Sequence, residues 1–169
     1  CGHCEFCVTG RMSLCIAPDT KRAKDAPPRL TMGGEVVHQM LNLSAYAEMM
    51  LVHEHACVAI DPEMPLDRAA LLSCAVLTGY GAVVNTAKVK AGSSVAVFGC
   101  GGVGLNSVQG ARLVGAKTII AVDISDEKLA IAKKLGATHT VNARKEDPVA
   151  KVKEICGGAD YVFDASGRE

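Results

Sequence analysis

The later part of this sequence predicts an α/β fold built on a doubly wound parallel sheet, and its opening predicts a loop organised by a metal ion. Three observations carry that reading. From Ser94 onward short apolar runs alternate with helical periods; Gly99 to Gly104 reads G-x-G-x-x-G directly behind one such run; and four of the eight cysteines crowd into the first fifteen residues. Strands alternating with helices of this length imply right-handed crossovers and a parallel sheet. A local cysteine cluster implies a metal site more readily than a set of disulfide staples.

Composition narrows the function. The chain has 169 residues, 49% of them apolar, and its 18 Lys and Arg balance 18 Asp and Glu, so the net charge is zero. Chains near this size bury roughly 70% of their unfolded surface, which excludes disorder as the main theme. Without excess positive charge there is no footprint for a phosphate backbone, so nucleic acid is excluded as a partner. The apolar stretches are broken well short of the roughly 20 residues a membrane span needs, and no signal segment opens the chain. No membrane partner and a cytoplasmic location are therefore expected. A start on Cys1 and a close on Ser166 to Glu169, just behind an apolar run, lead us to expect a segment of a longer protein.

The elements follow in order. Residues 1–33 are rich in Cys, Pro, Gly, Lys and Arg and have no apolar period, so they predict irregular loop. Between Glu35 and Ile60, the segments Val36-Val37, Ala45 to Val52 and Cys57 to Ile60 predict strands of a β lobe. Pro62 and Pro65 bracket a turn, after which a helix from Leu66 to Leu72, interrupted near Cys74, and a second from about Thr78 to Val89 are expected. Val95 to Phe98 predicts a buried strand, and Leu105, Val108, Ala111 and Val114 give the helix behind it its apolar stripe, stopped by Gly115. Thr118 to Val122 is the next strand. The following helix has Ser125 as N-cap, Asp126 and Glu127 in its first turn, Lys133 and Lys134 in its last and Gly136 beyond, each matched to the helix dipole and its caps. Thr138 to Val141, a helix from Pro148 to Cys156, and Tyr161 to Phe163 bring the parallel strands to four.

Cys1, Cys4, Cys7 and Cys15 have the spacing C-x2-C-x2-C-x7-C. Four thiolates from one short loop close a tetrahedral shell around Zn²⁺ and leave no position for water or substrate, so the site is structural. Such a zinc contributes on the order of 10 kcal/mol to folding and takes the place of a core. A redox cysteine pair and an iron–sulfur cluster are the rival readings; against the cluster, Ile16 rather than Pro follows the last cysteine. His3 is redundant beside four thiolates and is expected to face solvent. Cys57, Cys100 and Cys156 have no partners at ligand spacing and are expected to be small buried residues. His53 and His55 share strand spacing, but no third ligand is near them in sequence.

The glycine turn is weak as a pattern and strong in context. It follows the strand ending at Phe98, opens a periodic helix, and is followed nineteen residues after Gly104 by Asp123 at the end of the next strand. This is the arrangement of a dinucleotide site. Gly99, Gly101, Gly102, Val103 and Gly104 let the backbone approach a pyrophosphate at a helix N-terminus, and Asp123 accepts from the adenosine ribose hydroxyls. A carboxylate there repels a 2′-phosphate, and Ile124 and Ser125 rather than Arg follow it, so NAD is favoured over NADP.

A cysteine-rich zinc loop followed by a dinucleotide turn resembles the zinc-dependent medium-chain alcohol dehydrogenases, and the resemblance runs along essentially the whole chain. It implies a partial Rossmann domain at 76–169, preceded at 1–75 by the zinc loop and part of a GroES-like β lobe. The stretch Cys74-Ala75-Val76-Leu77-Thr78-Gly79-Tyr80-Gly81 is similar to the family segment whose cysteine is one of three protein ligands to a catalytic zinc. By that match Cys74 is a catalytic-zinc ligand, Thr78 lies against the nicotinamide, and Lys128 contacts the adenosine ribose. The run from Val36 to Pro62 is most similar to the glutathione-dependent formaldehyde dehydrogenases and to bacterial alcohol dehydrogenases that retain their cofactor. In the family the other catalytic-zinc ligands precede the structural-zinc loop, and they are absent from these residues. The resemblance thus implies an oxidoreductase acting on a small alcohol or aldehyde with zinc and NAD, a dimer or tetramer when whole, and an incomplete active site here. A non-catalytic dinucleotide-binding module with a structural zinc is the alternative, and a polyol dehydrogenase is a third reading.

Overall fold

The apolar strands predicted from Ser94 onward must be covered on both faces, since Val95, Ala96 and Val97 point alternately to either side of a sheet and all three are apolar. A computed structural model of the chain shows how they are covered. It describes residues 1–17, 25–39, 45–54 and 57–167, which form two compact units, Cys1–Asp61 and Pro62–Glu169, against the division after residue 75 expected from the sequence.

In the first unit the cysteine loop contains a short helix, α1 (Glu5–Val8), and a 3₁₀ turn (Met12–Leu14). Beyond it, β1 (Thr31–Met32) and β2 (Glu35–Val36) form an antiparallel hairpin in which Met32 pairs with Glu35. Gly33 and Gly34, at φ of 60° and 89°, supply the left-handed pair that a two-residue hairpin turn requires. The other expected strands do not form: Ala45 to Val52 and Cys57 to Ile60 carry no strand among the described residues. Their side chains show why. Tyr46, Met49, Leu51 and Val58 are exposed, so no partner strand or core fixes their register. Cys57 is likewise exposed, not buried as its residue type suggested, whereas Cys100 is buried and Cys156 half-buried.

The second unit opens with a continuous helical run from Leu66 to Thr86. It comprises α2 (Leu66–Leu71), a π-helical turn (Leu72–Val76), α3 (Leu77–Gly81) and a second π turn (Ala82–Thr86). The interruption expected near Cys74 is therefore a widened turn inside a helix, not a break between two helices. At 21 residues the run is long and apolar enough to cross a membrane, which the sequence pattern had not indicated. Little of it is buried: Gly79 and Val83 pack on the helix behind the glycine turn, while Leu66, Leu71 and Leu77 are exposed.

The sheet has the order β5-β4-β3-β6, all parallel. Its strands are β3 (Ser94–Phe98), β4 (Thr118–Asp123), β5 (His139–Asn142) and β6 (Tyr161–Asp164). The crossovers are α4 (Gly102–Leu113), α5 (Asp126–Leu135) and α6 (Pro148–Cys156). Val95, Val97, Ile119 and Ala121 pack on one face with Val108 and Ala111 of α4 and Leu129 and Ala132 of α5. Ala96, Ile120, Val122 and Val141 pack on the other with Val152 of α6. Ser125 caps α5 as the sequence pattern predicts, its Oγ accepting from Lys128 N–H at 3.4 Å, and Asp147 caps α6, its Oδ1 accepting from Val149 N–H at 2.9 Å.

α3 lies so close to α4 that a Cβ on Gly79 would sit 2.3 Å from the Val103 carbonyl oxygen, and Ser107 Oγ donates to the Gly79 carbonyl at 3.2 Å. At Gly81, two residues on, the nearest atom is the Asn85 amide nitrogen at 3.8 Å. Gly79→Ala is therefore expected to destabilise the protein by about 1–3 kcal/mol, because helix backbone cannot yield. Gly81→Ala is expected to stabilise it by up to about 1 kcal/mol through helix propensity. Urea unfolding of the two variants checks the opposite signs.

Candidate functional site

Two separate places gather the residues singled out in the sequence, and each lies within one unit. In the first, the four thiols of the opening loop converge. Cys1 and Cys7 sulfurs are 3.8 Å apart, Cys4 and Cys7 3.6 Å, Cys4 and Cys15 4.0 Å, and Cys1 and Cys15 3.5 Å, with all four within 4.8 Å of one another. Disulfide sulfurs would be about 2.05 Å apart, and none of the eight cysteines is so joined. Tetrahedral zinc with Zn–S bonds of about 2.3 Å needs sulfurs roughly 3.8 Å apart. The donor set fits a tetrahedral Zn²⁺ closed by four thiolates.

The loop also prepares the charge such an ion requires. The N–H groups of Cys7 and Ile16 hold the Cys4 thiol below its ordinary pKa, outweighing burial, so this sulfur gives up its proton readily. Burial pushes the Cys7 thiol up, the Gly2 N–H opposes it, and the neighbouring Cys4 and Cys15 add to the rise. Crowded thiols resist losing several protons together unless a cation is present. His3 stands outside the set: it is exposed, with Nδ1 2.9 Å from the Cys1 carbonyl oxygen. His53 is exposed, while His55 lies outside the described residues, so the spacing noted between them is not described.

The second place is the turn from β3 into α4. Gly99 takes φ of 89°, its N–H donating to the Val122 carbonyl at 2.8 Å. A Cβ on Gly104 would fall 1.7 Å from the Gly99 carbonyl oxygen, whereas nothing lies within 4 Å of one on Gly101. Thus Gly104 is required for the turn to close on itself, and Gly101 opens onto free space. Gly102 and Val103 begin α4, whose first N–H groups have no intrahelical acceptor.

Asp123, at the C-terminal end of β4, is 8% exposed. Its Oδ2 accepts from Cys100 N–H at 2.7 Å and its Oδ1 from Ser125 N–H at 2.9 Å. Burial pushes this carboxyl up, but those N–H groups, together with Lys128 and the Ile124 N–H, outweigh it and hold the group below the ordinary carboxylate range. It is a charged acceptor fixed at the mouth of the turn. The Cys100 thiol is pushed up to about 11, first by burial and then by the Asp123 charge, with Lys128 opposing, so it remains a neutral packing group.

A cleft of about 350 Å³ joins these residues, with Gly99, Gly101, Asp123 and Lys128 among its lining. Its far side is made by Asp164, Ala165 and Ser166, which the sequence reading passed over. Asp164 ends an apolar strand, and the ends of parallel strands are where ligands sit in such sheets; that was the available signal. Cys74 and Thr78 are exposed on the helical run, apart from the four-thiol cluster. Their neighbours reach the turn: a Cβ on Gly102 would lie 3.2 Å from the Ala75 methyl, and Gly79 abuts Val103. The structure therefore places the Cys74 to Gly79 segment beside the glycine turn, in the same unit.

Comparison with known proteins agrees with this geometry. Residues 102–169 match the family model described as zinc-binding dehydrogenase. The whole chain is similar to S-(hydroxymethyl)glutathione dehydrogenase of Saccharomyces cerevisiae, with 42% identity over 99% of this chain and 46% of that protein. Among solved structures, it resembles an alcohol dehydrogenase zinc-binding domain protein from Burkholderia ambifaria, with a TM-score of 0.82 and 37% identity over 99% of this chain and 47% of that one. Benzyl alcohol dehydrogenase from Acinetobacter calcoaceticus gives the same TM-score at 34% identity, over 99% and 47% of the two chains. The chain thus spans about half the length of the relatives it matches.

Native mass spectrometry is expected to find one zinc held by the four-thiol loop, and to find it lost from a Cys4→Ser, Cys7→Ser double variant. Zinc retained by that variant contradicts the four-thiolate assignment. The depressed Asp123 carboxyl adds a pH dependence. Its stabilising contribution is complete above the unfolded carboxylate pKa of about 3.9 and is lost as pH falls through the lower folded value. The stability difference between the protein and Asp123→Ala, followed by urea titration, should be constant from neutral pH to about 5 and shrink below it.

Proposed function

We propose that the protein is a zinc-binding dehydrogenase and, more narrowly, an NAD- and zinc-dependent oxidoreductase moving a hydride between a small alcohol or hydroxymethyl adduct and NAD. One observation supports it most directly: the Cys74 to Gly79 segment and the glycine turn lie against each other, Ala75 on Gly102 and Gly79 on Val103. A cysteine suited to hold a Lewis acid and a turn suited to hold a dinucleotide are thereby packed as one piece. The names of the relatives point to the same chemistry, since an S-(hydroxymethyl)glutathione dehydrogenase and a benzyl alcohol dehydrogenase both act on hydroxymethyl carbons.

When bound, zinc supplies Lewis acidity to the alcohol oxygen and NAD supplies the hydride acceptor. The chain's own residues do the positioning. The N–H groups opening α4 would hold the pyrophosphate, with Gly101 leaving room for it. Asp123, kept ionised by Cys100 and Ser125 N–H groups, accepts from the adenosine ribose and disfavours a 2′-phosphate, with Lys128 beside it. Thr78 would hold the nicotinamide, and Cys74 would supply one thiolate to the catalytic zinc. Among the described residues the four-cysteine loop is the one group of three or more metal-ligating side chains, and Cys74 stands outside it. Turnover accordingly requires further ligands that these residues do not supply.

The alternative, a non-catalytic dinucleotide module stiffened by zinc, makes Cys74 dispensable. In the full-length protein Cys74→Ala is expected to abolish alcohol oxidation while leaving NADH affinity unchanged. Undiminished turnover in that variant favours the module.

A further inference from the structure

The helical run from Leu66 to Thr86 and α4 meet across a contact that contains a buried hydroxyl. Ser107 is 1% exposed. Its Oγ lies 3.2 Å from the Gly79 carbonyl on the run and 3.2 Å from the Val103 carbonyl one turn back on α4, so its single proton is shared between the two helices. Around it the contact is made by apolar groups: a Cβ on Gly102 would meet the Ala75 methyl at 3.2 Å, and one on Gly110 would meet Val83 at 3.2 Å. Apolar contacts are non-directional and fix how near two helices lie rather than their register. A hydrogen bond is directional and fixes the register as well.

The run has need of such a bond. π turns at Leu72–Val76 and Ala82–Thr86 flank α3, so the short piece that carries Thr78 has no unbroken i→i−4 ladder on either side to hold its register. The outer face gives no support, since Leu71 and Leu77 are exposed. The two carbonyls that the hydroxyl joins are well placed for a link. Gly79 directly follows Thr78, and Val103 lies in the first turn of α4, between the last two glycines of the motif.

We propose that Ser107 is a positioning residue for hydride transfer, its hydroxyl locking the Thr78 segment in one register against the helix that opens the glycine turn. The proposal rests on the oxidoreductase reading above, in which Cys74 and Thr78 act at the reacting end and the glycine turn holds the cofactor. Ser107 is not among the residues that line the cleft, and it acts through Gly79. Removing the hydroxyl leaves the small-residue packing in place but frees α3 to shift along α4. A misplacement of about 1 Å between reacting groups costs on the order of 100-fold in rate, so a smaller shift is enough to be measured.

The test compares Ser107→Ala with the unaltered full-length protein at a temperature where both are folded. It measures kcat for alcohol oxidation, NADH affinity by calorimetry, and hydrogen–deuterium exchange along the helical run. The variant is expected to lose about tenfold in kcat, to bind NADH within about threefold of the original, and to exchange faster in peptides from Leu72–Thr86 than the original does, with α4 unchanged. The proposal is overturned if kcat is undiminished, as a merely structural hydroxyl requires. It is overturned equally if NADH affinity falls as far as kcat, which places the effect in the glycine turn, or if exchange in the run is unaltered. Should the Ala variant fail to fold, Ser107→Cys fills nearly the same space with a weaker donor; a loss of about threefold in kcat is expected there, and full kcat again overturns the proposal. An unaltered protein that oxidises no alcohol removes the oxidoreductase reading itself, and the proposal with it.

Discussion

The contact on which the second unit depends is the one between Gly104 and the carbonyl of Gly99. No side chain fits between them, since even a methyl on Gly104 would fall 1.7 Å from that oxygen. Because it does not, β3 passes into α4 within a few residues, and the first turn of α4 comes to stand at the C-terminal ends of the strands. Everything that makes the cleft follows. Gly99, free to take φ of 89°, lies flat against the turn after β6, and Cys100 N–H reaches Asp123 at 2.7 Å. The segment that carries Cys74 and Thr78 rests on α4 through Ala75 and Gly79. Three parts of the site distant in sequence thus converge on one backbone turn.

The two units are held by different physics. In the second, apolar burial on both sheet faces suffices: Ile119, Ile120, Val95 and Val97 are almost wholly buried, and the gain scales with the area taken from water. The first has no comparable core among its described residues, and Met32, Tyr46, Met49, Leu51 and Val58 are exposed. What converges there is four sulfurs 3.5 to 4.0 Å apart along the contacts given, a spacing that repels as thiolates and binds as zinc ligands. A loop organised in this way folds with its metal, because the site does not exist in the unfolded chain.

This difference explains what was legible in the sequence. The second unit announces itself because each rule it follows is local. Ser125, Asp126, Glu127, Lys133, Lys134 and Gly136 mark α5 by caps and dipole alone. The cysteine spacing was legible for a similar reason, since one short loop contains the whole donor set. Between Ala45 and Ile60 the apolar residues misled. Strand propensity expresses packing against neighbours, and where the side chains stay exposed it selects nothing. The hairpin at Gly33-Gly34 had a signal that the count of apolar runs overlooked. The π turn around Cys74 was legible only as an interruption, because a widened turn leaves the residue pattern of an ordinary helix.

The far side of the cleft was illegible for a more basic reason. Phe98 and Asp164 stand side by side only through the parallel register of β3 and β6, which 66 residues and two other strands separate in sequence. The end of an apolar strand at Asp164 marks a place where ligands sit in such sheets, but it does not show that this turn lines the same cleft as the glycines. A motif such as G-x-G-x-x-G records the wall that one turn can build. The opposing wall is a property of topology, and it becomes visible only when the order of strands is known. Sites at the switch point of a doubly wound sheet are therefore half-legible by construction: the half with the glycine turn is written in consecutive residues, and the half that faces it is written in the fold.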